Sequence, residues 1–148
     1  MNLSKLLTLC VLLGVSFQAT AGPATDSLAA CLADSTTGKD RKDLAKWVFA
    51  AMSAHPEIKE IVTIQDKDRE QLDQVMATLL TRLITVNCRE QARDASKQDG
   101  SNGFKTAFAA LGQLAMQELM TNPEVTKSIG AFEKYVDKSK FKAAFGDK

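Results

Sequence analysis

The clearest pattern of apolar and polar positions in the chain covers residues 40–56. Asp40 is suited to cap the start of a helix, with Asp43 three residues later, and Pro56 is suited to end it because proline has no N–H to donate. The apolar residues between them recur at three- and four-residue spacing, which places them on one helical face. They are Leu44, Trp47, Val48, Ala51 and Met52.

The same spacing predicts one short helix before this segment, and one short helix and one long helix after it. The short ones cover residues 26–34 and residues 56–61, with Ile58, Ile61 and Val62 facing inward in the latter. The long one runs from residue 66 to about residue 95. Its apolar band is broad enough to predict that neighbouring helices cover more than one side. The band consists of Leu72, Val75, Met76, Leu79, Leu80, Leu83, Ile84 and Val86.

Residues 97–103 are polar and contain two glycines, and this composition predicts a loop that acts as a hinge between two helical halves. The helix predicted after it has Gly112 and Ala115 at positions where small side chains allow a close helix crossing. Asn122 then caps a further helix with Pro123 in its first turn. Two C-terminal apolar sets are expected to pack on the core. They are Val125, Ile129, Phe132 and Val136, followed by Phe141, Ala144 and Phe145.

No segment alternates apolar and polar residues in the manner of a strand, except for the short triplet at residues 62–64. The predicted fold class is therefore all-α, a compact bundle of five to six helices with one disulfide. The bundle is expected to form a single all-helical domain over residues 22–148.

Residues 1–21 have the features of a secretory signal peptide. Lys5 precedes an apolar run over residues 6–15, and Ala19 and Ala21 form a small-x-small cleavage site. The apolar run is shorter than the ~20 residues of a membrane-spanning helix. We therefore expect cleavage after Ala21, a periplasmic or secreted protein, and no stable membrane insertion of the chain that remains.

Cleavage would leave two cysteines, Cys31 and Cys88, because Cys10 lies in the signal peptide. Two cysteines in an oxidising compartment favour a disulfide over free thiols. Cleavage also removes Lys5, so basic and acidic residues become equal in number. A neutral chain with intermixed charges gives no electrostatic reason to expect a nucleic-acid partner.

Catalytic and cofactor motifs are missing from the sequence. His55 is the only histidine, no GxSxG segment occurs, and the two cysteines are too far apart in sequence for a CxxC motif. One histidine with two distant cysteines does not make a zinc site. The sequence therefore predicts no enzyme, no cofactor and no metal.

Two segments carry a resemblance to known proteins. Residues 37–58, TGKDRKDLAKWVFAAMSAHPEI, and residues 110–120, ALGQLAMQELM, resemble an uncharacterised family of small exported Gram-negative bacterial proteins. More loosely, the plan of signal peptide, helical domain and one disulfide is similar to the periplasmic immunity proteins that protect against type VI secreted effectors. The first resemblance implies export but supplies no activity, and the second assigns no residue a role.

These features favour a periplasmic protein-binding domain, most specifically an immunity or inhibitor protein against a cell-wall-acting toxin, whose partner is a secreted effector or an envelope hydrolase. A rigid, complementary surface is sufficient for such a role. One alternative is a small-molecule or lipid carrier with a cavity between the Phe108 helix and the long helix, lined by Phe104, Phe108, Met116 and Met120. Another is a structural or stress-related envelope protein. The predicted partner-binding residues are Lys39, Arg41, Lys42, Lys46 and His55.

Overall fold

The computed structural model describes residues 22–146, and within this range it contains seven α-helices and no strand. The all-α prediction is confirmed, although five to six helices was too few. The predicted signal peptide, residues 1–21, lies outside the described residues. None of the helices described is both long enough and apolar enough to cross a bilayer. The helices are α1 Pro23–Asp34, α2 Gly38–Met52, α3 Pro56–Lys59, α4 Asp66–Arg82, α5 Arg89–Met120, α6 Pro123–Gly130 and α7 Lys138–Phe145.

The hydrophobic core lies between α1, α2, α4 and α5. α1 packs along the first half of α5 in the opposite direction, so that Thr25 lies beside Asp99 and Cys31 beside Cys88. α2 packs on the second half of α5 and on α4. The buried residues are small and aliphatic, and include Leu28, Leu32, Leu44, Met76, Leu79, Leu83, Ala92, Ala95, Ala107, Leu111 and Ala115.

α2 begins one turn earlier than the sequence pattern predicted. Thr37 is the N-cap, and its Oγ1 accepts a hydrogen bond of 3.1 Å from the backbone N–H of Asp40. The Asp40 carboxylate in turn accepts one of 2.9 Å from the Thr37 N–H. The prediction of Asp40 as N-cap is therefore wrong, because Asp40 is the third helical residue of a reciprocal capping box. Leu44 is buried as predicted, whereas Met52 in the last turn is exposed.

The predicted continuous helix over residues 66–95 is interrupted. α4 ends at Arg82, a π-helical turn covers Leu83–Asn87, and Cys88 leaves helical geometry with φ −120° and ψ 32°. Leu83 and Cys88 are buried on the side of the break that faces the core. On α4 and the π turn, Val75, Leu80 and Val86 are exposed. The prediction that neighbours cover more than one side of this segment is therefore wrong.

The predicted loop over residues 97–103 is helical on both sides of one residue, Gly100, which has φ 59° and ψ −143°. Glycine takes this conformation readily because it has no Cβ, while other residues do so only under strain. α5 therefore consists of a first half, residues 89–99, and a second half, residues 101–120. Just beyond the kink, α1 approaches Gly103 so closely that a Cβ there would lie 2.9 Å from Oγ1 of Thr25.

Residues 122–146, here called the C-terminal arm, contain α6, a 3-10 turn over Ala131–Tyr135, and α7. The predicted cap is confirmed, since Oδ1 of Asn122 accepts hydrogen bonds from the N–H groups of Glu124 and Val125. The predicted packing is wrong, because no side chain of the arm is buried. Ile129, Phe132, Phe141 and Phe145 are between 51% and 77% exposed. The arm contacts the rest of the described chain mainly at the end of α5.

Candidate functional site

The disulfide joins α1 to the break before α5. Cys31 and Cys88 are bonded, as predicted, with their Cα atoms 5.8 Å apart and 57 positions apart in sequence. Cys88 is fully buried. The bond therefore closes a loop of the chain that contains all of α2, α3 and α4.

The first part of the predicted partner surface is paired within its own helix. Lys39 and Lys46 both bond to the carboxylate of Asp43, Lys46 at 3.3 Å. The hydrogen bond from Lys39 is the main cause that holds the pKa of Asp43 below its ordinary value, and the same bond raises the pKa of Lys39. The two lysines are mostly exposed, so other charges can still reach them.

Arg41 and Lys42 are paired with α5. The Arg41 guanidinium donates to the carbonyl oxygen of Thr36 at 2.8 Å and to Oε2 of Glu118 at 3.4 Å, and Nζ of Lys42 lies 3.8 Å from Oε1 of Glu118. The half-buried Arg41 thus holds the start of α2 against the second half of α5. The N–H groups of its guanidinium therefore donate to acceptors of the same chain rather than to a partner.

His55 is not near the other predicted partner residues. It precedes α3 and follows α2, whose first turn carries Lys39. A helix of 15 residues, as α2 is, extends over about 22 Å. The side chain of His55 is exposed. The structure therefore places Lys39, Arg41 and Lys42 in the first turns of α2 and Lys46 near its middle, and leaves His55 beyond its other end.

A polar cleft lies between α2 and α4, beside Lys39 and Asp43. Arg82 donates to Oδ2 of Asp40 at 3.0 Å and to the carbonyl oxygen of Ser35 at 3.3 Å. Burial of the Asp40 carboxylate opposes its ionisation, but the hydrogen bonds from Thr37 and Arg82 outweigh this and lower its pKa. The charged groups of the cleft thus pair with one another and stabilise the helix ends.

An apolar groove, open to solvent, lies on another side of α2, where α2, α4 and the second half of α5 meet. Its volume is about 490 Å³. α2 contributes Leu44, Trp47 and Val48, α4 contributes Met76, Ala77 and Leu80, and α5 contributes Phe108 and Gly112. Asp73 of α4 is the one charged residue among those that line the groove within the described part of the chain.

A hydrogen bond crosses the rim of the groove from α2 to α4. Nε1 of Trp47 donates to Oδ1 of Asp73 at 2.7 Å, and Nε of Arg69 lies 3.4 Å from the same carboxylate. The indole therefore has a polar acceptor for its N–H while its ring faces the apolar interior. This bond fixes the distance between two walls of the groove.

Gly112 makes part of the groove because it lacks a side chain. A Cβ placed on Gly112 would meet no atom within 4 Å. The predicted close helix crossing at Gly112 is therefore wrong, whereas Ala115 is buried as that prediction required. A larger residue at position 112 would fill the groove without displacing the core.

The predicted ligand cavity corresponds to this groove in part. Phe108 lines it, Phe104 is half-buried against the core, and Met116 and Met120 are exposed on α5. The groove is an open surface feature rather than an enclosed cavity. Asp73 and Gly112 were not predicted as groove residues. An indole N–H near the surface does require an acceptor, but nothing in the sequence assigns Asp73 to Trp47.

The described residues contain no group of three or more His, Cys, Asp or Glu side chains that could hold a metal ion. The chemistry that the arrangement supports is recognition through apolar contact, with Trp47 and Asp73 as the polar groups at the rim. A search of protein-family models, of curated proteins and of solved structures finds no match to this chain.

Proposed function

We propose that the exported form of this chain, residues 22–148, is a protein-binding domain that takes an amphipathic helix of a partner into the apolar groove. The observation that carries the proposal is a solvent-open groove with apolar walls from three helices and a polar pair at its rim. Amphipathic helices bind such grooves through apolar side chains at three- and four-residue spacing.

The rigidity of the groove supports a binding role. α2 and α5 are joined by the Arg41–Glu118 pair, and α2 and α4 by the Trp47–Asp73 hydrogen bond. The disulfide joins the chain before α2 to the chain after α4. A groove that keeps its shape before binding loses less conformational entropy when a partner enters.

The groove replaces the basic residues as the main contact surface in this proposal. Arg41 is half-buried and already pairs with Glu118. Lys39 and Lys46 are exposed and can be reached by other charges, but ion pairs at such exposed positions contribute little. An immunity or inhibitor protein against a secreted effector or envelope hydrolase is the most specific form of the proposal. It is supported by the predicted export and by the architecture.

Photo-crosslinking from inside the groove tests the proposal. A benzoylphenylalanine in place of Leu80, an exposed residue of the groove wall, leaves the space beside Gly112 open, and the same residue at the neighbouring exposed Thr81 is the matched control. The expected result, in cells that export the protein, is a crosslink from position 80 to one helical segment of a protein, absent from position 81. Equal crosslinking from both positions, or none, would overturn the proposal.

A second candidate is a carrier of a small apolar molecule or a lipid. The groove volume of about 490 Å³ lies within the range of small-molecule sites. Native mass spectrometry of the exported protein tests this candidate through the mass of a retained ligand. Loss of that ligand from Gly112→Phe, but not from Gln113→Phe, would support a carrier, and a ligand-free mass in both would count against it.

A further inference from the structure

The C-terminal arm has an apolar face that the rest of the described chain does not cover. Ile129 and Phe132 are exposed, and Phe141 and Phe145 of α7 pack on each other with ring centroids 5.8 Å apart while remaining exposed. Large apolar side chains that are exposed together on a protein surface mark an interaction site. α6, with Ile129 near its C-terminal end and Phe132 in the 3-10 turn that follows, thus offers apolar side chains of the kind that the groove is proposed to take.

The arm and the rest of the chain also have opposite net charge. The arm, residues 122–146, carries five basic and three acidic side chains, a net charge of +2. Residues 22–121 carry twelve basic and fourteen acidic side chains, a net charge of −2. Opposite net charge favours encounter between the two parts and disfavours contact between two arms.

We infer that the groove of one chain binds the C-terminal arm of a second copy, so that two chains exchange arms in a symmetric dimer. This inference rests on the proposed function, because it names the amphipathic helix that the groove takes. Reciprocal exchange covers both apolar surfaces of both chains and leaves no unpaired arm, as closed two-fold symmetry requires.

The junction between α5 and α6 favours a second copy over the same chain. Oγ1 of Thr121 donates to the carbonyl oxygen of Glu118 at 2.7 Å, and Asn122 caps α6. Oγ1 of Thr126 also lies 3.3 Å from the carbonyl oxygen of Met120. These bonds fix the direction in which α6 leaves α5. Gly112 lies about 12 Å back along α5 from Met120. For the arm to reach the groove of its own chain, it would have to reverse direction and break these hydrogen bonds.

The mass of the protein in solution tests the exchange. By light scattering after gel filtration, we expect residues 22–148 to be dimeric. Gly112→Phe should weaken dimerisation by at least about tenfold because it fills both grooves of the dimer, and Phe132→Glu should do the same because it alters both arms. Gln113→Phe and Ser128→Glu are matched controls on exposed positions of α5 and α6 and should leave the dimer intact. Circular dichroism shows whether each variant is folded.

Mixing the two disruptive variants provides the sharper test. The Gly112→Phe chain keeps an intact arm, and the Phe132→Glu chain keeps an intact groove. Neither variant alone can form an intact exchange contact, whereas an equal mixture can form one of the two, so arm exchange predicts that the mixture associates more tightly than either variant alone. A mixture that associates no more tightly than either variant would overturn the inference, and so would a wild-type chain that is monomeric throughout.

The crosslink from position 80 separates failure of this inference from failure of the proposed function. A crosslink to residues 122–146 of a second copy supports both. A monomeric protein that crosslinks to a different protein overturns arm exchange and supports the proposed function. A monomeric protein with no crosslink overturns both.

Discussion

The indole Nε1 of Trp47 donates a hydrogen bond of 2.7 Å to Oδ1 of Asp73, and this bond connects α2 to α4 at the rim of the apolar groove. Two helices that share one core are thereby also joined at the surface. Arg69 of the same helix pairs with the Asp73 carboxylate at 3.4 Å, so the acceptor of the indole N–H also has a charged neighbour.

Replacement of Asp73 by alanine is expected to loosen this rim. The lost hydrogen bond should lower the free energy of unfolding by about 1 kcal/mol, measured by urea denaturation. Trp47 is the only tryptophan, so its fluorescence anisotropy should fall in the same variant. Arg69→Ala leaves the indole bond in place and should cost less than about 0.5 kcal/mol. Equal effects of the two substitutions would show that the indole bond does not stabilise the rim.

Loss of the disulfide is expected to have the largest effect on stability. For the loop between Cys31 and Cys88, with a sequence separation of 57, chain entropy gives a contribution of up to about 4 kcal/mol. Replacing both cysteines by alanine should lower the free energy of unfolding by that order, as measured by guanidinium denaturation. Wild-type protein treated with a thiol reductant should show a similar loss. A double variant as stable as oxidised wild type would contradict this expectation.

Two glycines of α5 should respond in opposite directions to alanine. At Gly103 a Cβ would lie 2.9 Å from Oγ1 of Thr25 and 3.2 Å from the carbonyl oxygen of Ala95, so Gly103→Ala should cost about 1–3 kcal/mol. At Gly112 the Cβ meets nothing, so Gly112→Ala should gain about 0.5–1 kcal/mol from the lower entropy of the unfolded chain. Thermal unfolding of both variants checks the sign. A stabilised Gly103→Ala protein would contradict the close approach of α1.

Gly100 should be sensitive to substitution for a different reason. No atom crowds a Cβ at this position, but its φ of 59° is unfavourable for any residue with a side chain. Gly100→Ala should therefore cost about 1–3 kcal/mol, measured by thermal unfolding, while Ser101→Ala at the next position should be nearly neutral. An unchanged melting temperature for Gly100→Ala would mean that the kink does not require positive φ.

Acid should weaken the capping box of α2. Folding lowers the pKa of Asp40 below its ordinary 3.8, because hydrogen bonds from Thr37 and Arg82 outweigh the burial of the carboxylate. The charged carboxylate therefore stabilises the fold above pH 3.8, and this contribution is lost as the pH falls through the folded-state pKa. Asp40→Asn should cost roughly 0.5–1 kcal/mol at neutral pH. The difference from wild type should shrink below pH 3.8 in denaturation experiments, and a difference independent of pH would contradict it.

Helix boundaries were predictable where they depend on nearby side chains. Pro56 at the start of α3 and Asn122 with Pro123 at the start of α6 lie at the positions that their chemistry predicts. The start of α2 was misplaced because two candidate caps stand three residues apart, Thr37 and Asp40. A threonine followed by an acidic residue at that spacing is itself the sequence signature of a capping box.

The predicted loop at residues 97–103 shows why polar composition is a weak guide to loops. Polar residues can occupy the solvent-facing side of a helix at small cost, and only Gly100 in this segment has a backbone conformation that interrupts the helix. The break at Cys88 has no comparable local signal. Its π-helical turn places both Leu83 and Cys88 in the core, so tertiary packing and the disulfide decide it.

Helical periodicity identified the apolar faces but not what covers them. The face that contains Leu44 is buried as predicted, while the face that contains Ile129 and Phe132 is equally periodic and remains exposed. Periodicity is a property of one helix, whereas burial depends on the arrangement of several. The groove was predicted only in part for the same reason, as a cavity between the Phe108 helix and the long helix, because its third wall comes from α2 with Trp47.

The position of the disulfide also determines what a single proteolytic cut would do to this molecule. The segment between α3 and α4, residues 60–65, contains exposed residues and lies inside the loop closed by Cys31 and Cys88. A cut there would separate α2 from α4 along the chain, yet the two fragments would stay covalently linked through sulfur. Both walls of the groove would then still belong to one molecule, and the nick would appear on a gel only after reduction.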